Sequence, residues 1–497
     1  MNYRLVGSFL GNLLIYLGLL MLLPCAVALF LGEHDAAAFL WSAGVTMLVG
    51  LLLRQRGITE EISHRDAFAM VTVGWLSVAV FGSLPFQLAG TFAPTLSGWV
   101  DGFFEAMSGV TTTGATVITD LTAQPHGILL WRSFLQWLGG MGFIVLSIAI
   151  LPKLGVGGME LFKAEIPSPI PERLRPRIRQ TALILWKIYV ALTVILFVLL
   201  WLAGMNVFDA ILHALSTMPT GGFSNYTSSE AVLKNGWIEA ILVVFMILGG
   251  INFSLYYRAQ TARHWRDLFW NEELRAYLGI IVVGTALITL NLWRHGTMVW
   301  WEAIRHGLFH VVSVTTTTGF VTENYDLWPA FATAVLFLLM FSGGMAGSTS
   351  GSIKVLRHLI VVKHIAREIL RLLHPRSIRT VTIGDQTIDE RVISGVISFV
   401  LLFLLLFGIG TAFMTTQGLD LRSAAAATAA MLTNVGPGLG MVGPVENYAF
   451  IPSGGKLFLS FLMLTGRLEI YGVLVLLLPA AWEPSRRKRE TPRRPGG

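Results

Sequence analysis

The chain has 497 residues, of which 54% are hydrophobic and 13% are charged; its mean hydropathy is +0.66 and its net charge +7. Soluble domains carry roughly 25% charged residues, so this composition excludes a soluble enzyme, a disordered chain and a fibrous repeat. The hydrophobic runs are long and continuous rather than alternating, which indicates an all-α polytopic membrane protein. The single cysteine, Cys25, excludes an intrachain disulfide.

Ten hydrophobic runs are long enough to span a bilayer, and the first is too long for a cleaved signal peptide. Four shorter semi-apolar stretches lie between some of them, and each ends in a turn rich in threonine or glycine. Such stretches are typical of re-entrant pore helices. The predicted spans are residues 7–31, 37–53, 67–90, 128–151, 181–204, 236–257, 276–293, 331–362, 392–415 and 456–480; the predicted pore helices are residues 98–113, 208–220, 303–318 and 422–435.

The basic residues support this plan. Five segments hold 26 of the 36 Lys and Arg residues, and ten spans with four re-entrant loops place all five on one face. The positive-inside rule assigns that face, and both termini, to the cytoplasm. The five segments are residues 54–66, 152–179, 258–275, 355–391 and 485–497.

Acidic residues cluster near the short stretches on the opposite face. An acidic rim beside a re-entrant loop would concentrate cations. The alternative interpretation is ordinary solvated loop charge. The acidic residues concerned are Asp101, Glu105, Asp120, Asp209, Glu230, Glu302, Glu323, Asp326 and Glu446.

The four turns form an internal repeat. Each has small or polar residues leading to a glycine, and these glycines are separated by 107, 98 and 117 residues. A span precedes and follows each turn, which predicts a fourfold span–pore helix–span repeat around one pore. The predicted units are a two-helix segment at residues 1–55, repeats at residues 56–160, 161–265, 266–385 and 386–484, and a basic tail at residues 485–497.

Polar backbone at membrane depth is costly unless it lines a watery path. Four strands whose carbonyls replace the hydration shell of an ion are what a potassium filter requires, and glycine permits the positive φ such strands need. Ordinary glycine turns are a poor explanation for four such motifs at near-regular spacing. We call these segments candidate loops 1 to 4: Thr111, Thr112, Thr113 and Gly114; Met218, Pro219, Thr220 and Gly221; Thr316, Thr317, Thr318 and Gly319; Thr433, Asn434, Val435 and Gly436.

A run of small residues at 342–352 interrupts the predicted span 331–362. Glycine and serine are poor helix formers, so the run predicts an irregular segment lining a cavity, which we call the candidate gating loop. The alternative is close helix packing through the Gly-x-x-x-Gly spacing. The candidate gate residues in this run are Gly343, Gly344, Gly347, Ser348, Thr349, Ser350 and Gly351.

Arg467 lies in the last predicted span, where a buried arginine is costly without a partner. Free carbonyls of the candidate gating loop could supply one, and the positive charge would oppose cation passage through a closed gate. The alternative is a structural ion pair with Glu469. Lys354 could assist the gate or could extend toward the cytoplasmic interface.

Other polar residues carry weaker signals. Arg132 and Gln136 lie one turn apart, and we expect them to support loop 1 rather than to contact an ion. His306 and His310 share a helix face, but no third metal ligand is evident. The glycine-rich segment 155–158 lacks the strand–helix setting of a phosphate loop and predicts a cytoplasmic turn.

The segment 376–391 alternates around Gly384 and Asp385 and predicts a short cytoplasmic hairpin. With Arg367, Arg371 and the basic tail it offers a docking face for a regulatory subunit or anionic lipid. For the tail alone, lipid binding or a topological role is favoured.

The four motifs resemble the filter loops of the Trk/Ktr/HKT superfamily of potassium transporters, most closely the TrkH type, over nearly the whole chain. The second motif, with Pro219 inside it, is the loosest match. The resemblance implies one pore per subunit, the run at 342–352 as an intramembrane gate, and Arg467 beside it. The motifs are Val110-Thr-Thr-Thr-Gly-Ala-Thr116, Thr220-Gly-Gly-Phe-Ser224, Thr315-Thr-Thr-Thr-Gly-Phe320 and Asn434-Val-Gly-Pro-Gly-Leu-Gly440.

The resemblance further implies a homodimer in the bacterial cytoplasmic membrane, regulated by a cytoplasmic TrkA-type subunit that binds NAD(H) or ATP/ADP. K+ would be the transported ion, with no cofactor and no nucleic acid. Because the loops share only one glycine each, we expect a weaker potassium preference than that of potassium channels.

Three alternatives remain open from the sequence. Sodium-selective or sodium/proton-coupled transport would be favoured by serine at a filter glycine, but all four glycines are present. A membrane enzyme would need a cluster of catalytic side chains, and none is evident in the sequence. A carrier for organic solutes would predict inverted repeats and broken helices at the midplane.

Overall fold

The computed structural model describes residues 1–54, 63–142, 178–226, 235–262, 270–375, 379–384 and 386–482. Within these residues the protein is predominantly helical, as predicted. Features named above lie outside the described residues in whole or in part: the end of the predicted span 128–151, most of the basic segment 152–179 with the glycine-rich segment 155–158, Glu230, Asp385 and the basic tail.

The described helices recur in a regular order along the chain. An opening hairpin, α1 and α2, precedes four units, and each unit contains a long helix, a short helix, a candidate loop and an interrupted second helix. The helices are α1 (Tyr3–Leu31), α2 (Ala36–Leu53), α3 (His64–Gly82), α4 (Leu84–Leu88), α5 (Leu96–Val110), α6 (His126–Trp137), α7 (Ile178–Leu202), α8 (Val207–Thr217), α9 (Gly236–Gly249), α10 (Phe253–Ala262), α11 (Glu272–Arg294), α12 (Trp300–Thr315), α13 (Ala330–Leu339), α14 (Val355–Leu373), α15 (Glu390–Thr416), α16 (Leu421–Thr433), α17 (Ser453–Arg467), α18 (Tyr471–Leu477) and α19 (Pro479–Trp482).

The opening hairpin is held by close backbone packing. A Cβ atom added at Gly11 would lie 2.7 Å from the carbonyl oxygen of Gly50, and one added at Gly50 would lie 2.8 Å from that of Gly11. Small residues at such crossings let two membrane helices approach closely. Gly32 ends α1 in a left-handed conformation at φ 70° and turns the chain into α2.

Among the described residues, six helices are long and apolar enough to cross a membrane. They correspond to six of the ten predicted spans, whereas the total of ten remains a prediction. A seventh candidate is a helix pair bent by 90° between Gly236–Gly249 and Phe253–Ala259. The six are Tyr3–Leu31, Ala36–Leu53, Arg65–Leu88, Ala182–Leu202, Glu272–Arg294 and Glu390–Thr416.

The second helix of every repeat departs from a regular α-helix within the described residues, and only the third departure was predicted from the sequence. The first passes into a π-helical turn at Leu138–Gly142, the second bends after Gly249, the third stops at α13, and the last breaks after Arg467. In three of them a glycine packs against a terminal carbonyl of the preceding short helix, where a Cβ atom would be crowded. The three contacts are Gly139 with Val110, Gly249 with Met218, and Gly466 with Leu432.

The predicted hairpin is confirmed. Strand β1 (Thr382–Ile383) pairs antiparallel with β2 (Gln386–Thr387), and Gly384 adopts φ 56° at the turn. This hairpin belongs to an apolar core that is separate from the main one. We call it the small core: Ala346, Leu356, Ile360, Val381, Ile388, Ile393 and Val396.

Candidate functional site

The four candidate loops share one backbone geometry at the ends of α5, α8, α12 and α16. In each loop one residue is left-handed, with φ between 54° and 59°, and its N–H donates to the carbonyl three residues earlier. The next N–H donates to the carbonyl five residues earlier, over 2.8 or 2.9 Å. This pair of bonds is the Schellman helix ending, which usually uses glycine at the left-handed position. The left-handed residues are Thr112, Thr220, Thr317 and Asn434.

This shared geometry changes the register of loop 2. In the other three loops a glycine with positive φ follows two residues after the left-handed residue, and in loop 2 that glycine is Gly222, at φ 74°. The alignment on Gly221 is therefore wrong by one residue, and the equivalent segment is 219–222. Met218 instead caps α8 with ordinary helical angles. Two consecutive glycines left the sequence ambiguous, and only the backbone angles distinguish them.

The corrected register closes a ring. A Cβ atom added to any of the four glycines would lie less than 3.0 Å from a carbonyl oxygen of the next loop. The contacts run from loop 1 to loop 2, onward to loops 3 and 4, and back to loop 1. The four oxygens come from equivalent positions, because each belongs to the residue just before the ring glycine. The pairs are Gly114 with Gly221, Gly222 with Thr318, Gly319 with Val435, and Gly436 with Thr113.

We expect Gly222→Ala to impair cation transport much more than Gly221→Ala. A side chain at Gly222 requires a positive φ and collides with the Thr318 carbonyl, whereas Gly221 has an ordinary φ and a Cβ atom there would lie 2.5 Å from the end of the Gln136 side chain rather than against backbone. Ion flux into vesicles containing each purified variant measures the difference. The opposite order of effects would support the register aligned on Gly221.

Gln136 supports loop 2 rather than loop 1, which corrects the sequence prediction. Its Nε2 donates to the Gly221 carbonyl over 2.6 Å, and its Oε1 accepts from the Phe223 N–H over 3.1 Å. Arg132 bridges both loops: its Nε donates to Glu105 over 2.7 Å and its Nη1 to the Ser224 carbonyl over 3.0 Å. The sequence did not show which loop these residues support, because their contacts join two repeats.

Glu105 and Asp209 do not lie on an exposed acidic rim. Glu105 is fully buried, and its carboxylate accepts from Thr116 and from the Val117 N–H. Asp209 is 5% exposed and accepts from Asn225 and Tyr226. Both carboxylates brace the chain that leaves a candidate loop. The rim prediction is therefore wrong for these two residues.

Two further acids of the predicted rim are paired with bases. Asp101 accepts from Lys456 over 2.5 Å, and Asp326 accepts from Arg422 over 2.5 Å. These contacts reduce the negative charge that the two carboxylates present to the outside. Of the same set, Glu302 is exposed on the first turn of α12.

Glu105→Gln is expected to destabilise the protein by about 3–5 kcal/mol, because breaking a buried ion pair leaves Arg132 uncompensated. Thermal unfolding in detergent, followed by size-exclusion chromatography, measures the loss. Glu302→Gln is the matched control, since Glu302 is also on a short helix but is exposed. Equal effects of the two substitutions would contradict a structural role for the buried pair.

The two histidines of α12 have structural contacts. His310 is buried; its Nδ1 contacts the His306 carbonyl at 2.8 Å, and its Nε2 accepts from the Thr322 N–H over 3.4 Å. This contact braces loop 3 at the position equivalent to the Glu105 contact in loop 1. Among the described residues, no group of three or more His, Cys, Asp or Glu could hold a metal ion.

The candidate gating loop is an irregular segment between α13 and α14, and it lies against three of the four candidate loops. Thr220 Oγ1 of loop 2 donates to Thr349 Oγ1 over 3.4 Å. The Gly351 N–H donates to Thr317 Oγ1 over 2.9 Å. A Cβ atom at Gly351 would lie 2.6 Å from the Thr433 carbonyl oxygen. Polar contacts within the run, including Ser348 and Ser350 at 2.7 Å and Gly344 with Ser350 at 3.0 Å, complete the segment.

Arg467 donates hydrogen bonds to backbone carbonyls, as the first of the two interpretations of this residue predicts. Its Nη1 donates to the Thr349 carbonyl over 2.6 Å, and its Nη2 donates to the carbonyls of Gly139 and Gly140 over 2.8 and 3.2 Å. The guanidinium therefore joins the candidate gating loop to the interrupted second helix of repeat 1. Glu469, the partner in the alternative interpretation, pairs with Arg357 and Lys354.

Glu469 lies in a buried charge cluster that the sequence reasoning did not assemble. It accepts from Arg357, and Lys354 Nζ lies 3.6 Å from its second oxygen. Lys354 is only 8% exposed, so the interpretation in which it extends toward solvent is wrong. Arg357 also stacks 4.1 Å from the centre of the Phe399 ring. The sequence signal that could have predicted this cluster is a single glutamate in an apolar segment, because a buried glutamate needs a cationic partner.

The apolar helices define a multi-pass membrane protein, and comparisons with known proteins identify its family. The chain matches the TrkH family model, described as a cation transport protein, over residues 38–483. The chain therefore belongs to the TrkH family, which confirms the resemblance stated from the four motifs.

The relatives match over their full length. The Trk system potassium uptake protein TrkH of Salmonella typhimurium is 38% identical, over 97% of this chain and 100% of the relative. The protein of the same name from Halomonas elongata is 39% identical with the same coverage. The crystal structure of the potassium transporter TrkH from Vibrio parahaemolyticus has a TM-score of 0.87 at 37% identity, covering 97% of this chain and 100% of that one.

Proposed function

We propose that this protein carries potassium into the cell through a channel-like pore whose filter is the ring of candidate loops. The observation that carries this proposal is the closed circuit of four glycines against four equivalent carbonyls. Such a ring offers backbone oxygens in place of the hydration shell of an ion. The relatives are named potassium uptake proteins, which favours potassium as the ion.

The filter comprises 111–114 in loop 1, 219–222 in loop 2, 316–319 in loop 3 and 433–436 in loop 4. The short helices direct the partial negative charge of their C-terminal ends toward the ring, which stabilises a cation there. The inward-negative membrane potential drives uptake by about 2.3 kcal/mol per charge for each 100 mV.

The candidate gating loop closes the pore beneath this filter. It contacts Thr220, Thr317 and Thr433, which belong to three of the four filter segments. Arg467 holds the loop through the Thr349 carbonyl and adds a positive charge that opposes a cation. Opening requires these hydrogen bonds to break and the loop to withdraw.

The assembly follows the family pattern. The protein acts as a homodimer in the bacterial cytoplasmic membrane, with ten spans, four re-entrant loops and both termini inside. A cytoplasmic TrkA-type subunit that binds NAD(H) or ATP/ADP regulates it. Sodium-selective or sodium/proton-coupled transport is not favoured, because glycine occupies all four ring positions.

The test is ion flux into proteoliposomes that contain the purified protein. Potassium and sodium uptake are measured separately under an imposed inside-negative potential, with and without the regulatory subunit. Faster potassium than sodium uptake in either condition supports the proposal. Equal rates in both conditions, or uptake of neither ion in either condition, would contradict it.

A further inference from the structure

The cytoplasmic hairpin is tied to two helices. We call residues 379–384 and 386–388 the strap. Lys363 Nζ, on α14, donates to the Thr382 carbonyl over 2.7 Å. The Gly384 N–H donates to Glu272 Oε2, on α11, over 2.8 Å. Lys363 and Glu272 are themselves an ion pair, so one polar junction joins the strap to both helices.

The residue after Glu272 contacts the candidate gating loop. Glu273 is 7% exposed, and its Oε1 accepts the Ala346 N–H over 2.7 Å. The two carboxylates are consecutive in the first turn of α11, which Asn271 caps. The strap and the gating loop are therefore held by neighbouring side chains on one helix end.

A second contact joins the same two elements through apolar packing. The side chain of Ala346 lies in the small core with Val381 and Ile388, which flank the strap strands. The preceding residue, Met345, lies in the main core instead. The gating loop thus bridges the main core and the small core.

We propose that the strap sets the position of the gating loop, with Glu272 and Glu273 as the positioning residues; this inference rests on the proposed function of that loop as a gate. Thr382, Gln386 and Thr387 are exposed, so a cytoplasmic protein can reach the strap. A partner that pulls the strap from Glu272 loosens the small core and frees Ala346. The loop then leaves the filter from its cytoplasmic side.

The experiment measures exposure of the gating loop directly. Ala346→Cys is introduced with Cys25→Ser, so that the reporter is the only cysteine in the chain. The rate of maleimide modification is measured on the full-length protein in detergent. It is compared after adding Glu272→Ala, Glu273→Ala, Glu273→Gln or Glu368→Ala. Glu368 is the matched control, because it is an acidic residue whose ion pairs with Arg367 and Arg371 lie within α14.

Glu272→Ala and Glu273→Ala are each expected to raise the modification rate about fivefold or more, the usual lower range of coupling between two sites. Glu273→Gln should raise it less, since its amide oxygen can still accept the Ala346 N–H. Glu368→Ala should leave the rate unchanged. A rate for Glu272→Ala equal to that of the control would overturn the proposal, because Glu272 touches the strap and not the loop.

Two additions keep the test decisive. Ser348→Cys serves as the reporter if Ala346→Cys does not purify as a monodisperse protein. Rubidium flux is measured for Glu272→Ala with both native residues restored at 25 and 346. Faster labelling together with faster flux supports the whole proposal. Faster labelling with unchanged flux would support the coupling between the strap and the gating loop but contradict the role of that loop as a gate. Unchanged labelling would contradict the coupling, whatever the flux.

Discussion

Arg467→Ala is expected to raise potassium flux about tenfold or more. The substitution removes the donors to the carbonyls of Thr349, Gly139 and Gly140, which hold the candidate gating loop against the repeat 1 helix. A hydrogen bond with one charged partner contributes about 1.5–3 kcal/mol, and each 1.4 kcal/mol is about tenfold in an equilibrium. The measurement is potassium or rubidium uptake by proteoliposomes at a fixed potential.

Two arginine variants control this experiment. Arg467→Lys keeps the charge but lacks the planar fork that reaches several carbonyls, so its flux should lie between wild type and alanine. Arg422→Ala removes a half-exposed arginine that pairs with Asp326. We expect this substitution to change the potassium flux little. Wild-type flux in a well-folded Arg467→Ala protein would show that this arginine does not hold the gate.

Gly319→Ser is expected to reduce the preference for potassium over sodium about tenfold or more, because selectivity depends on the placement of the ring carbonyls. Gly319 has φ 81°, and a Cβ atom there would collide with the Val435 carbonyl and lie 2.8 Å from Pro437 Cδ. The two loops must move apart to admit the side chain. The ratio of potassium to sodium uptake in proteoliposomes measures the effect.

The matched control is Gly279→Ser. Gly279 lies in the regular helix α11, and a Cβ atom added there would meet nothing within 4 Å. This control should retain the wild-type ratio. If Gly319→Ser also retained it, the carbonyl ring would not be the filter, and selectivity would have to arise elsewhere along the pore.

The second candidate loop shows where sequence reasoning reached its limit. The Thr-Gly motif located the loop correctly, but the alignment chose Gly221 over Gly222. Both are glycines and either could supply a positive φ, so composition contained no information to separate them. The contact with the Thr318 carbonyl separates them, and it depends on how the repeats surround one another.

Glu105 and Gln136 illustrate the same limit for side chains. An acid beside a short apolar stretch has the same sequence signature whether it faces water or accepts N–H groups inside the protein. Gln136 lies in repeat 1 and was expected to support its own loop, but it bonds loop 2 across a repeat boundary. Such pairings depend on packing between segments distant in the chain.

The sequence by itself determined the class of protein, the family, the irregular run at 342–352 and the need of Arg467 for a buried partner. These properties follow from hydrophobic length, local motifs and the cost of an unpaired charge, which are all local. Only the tertiary structure decided the register of loop 2, the carbonyl partners of Arg467 and the burial of Glu105. Each of these depends on which carbonyl or side chain meets a segment distant in the chain, and that contact exists only once the chain has folded.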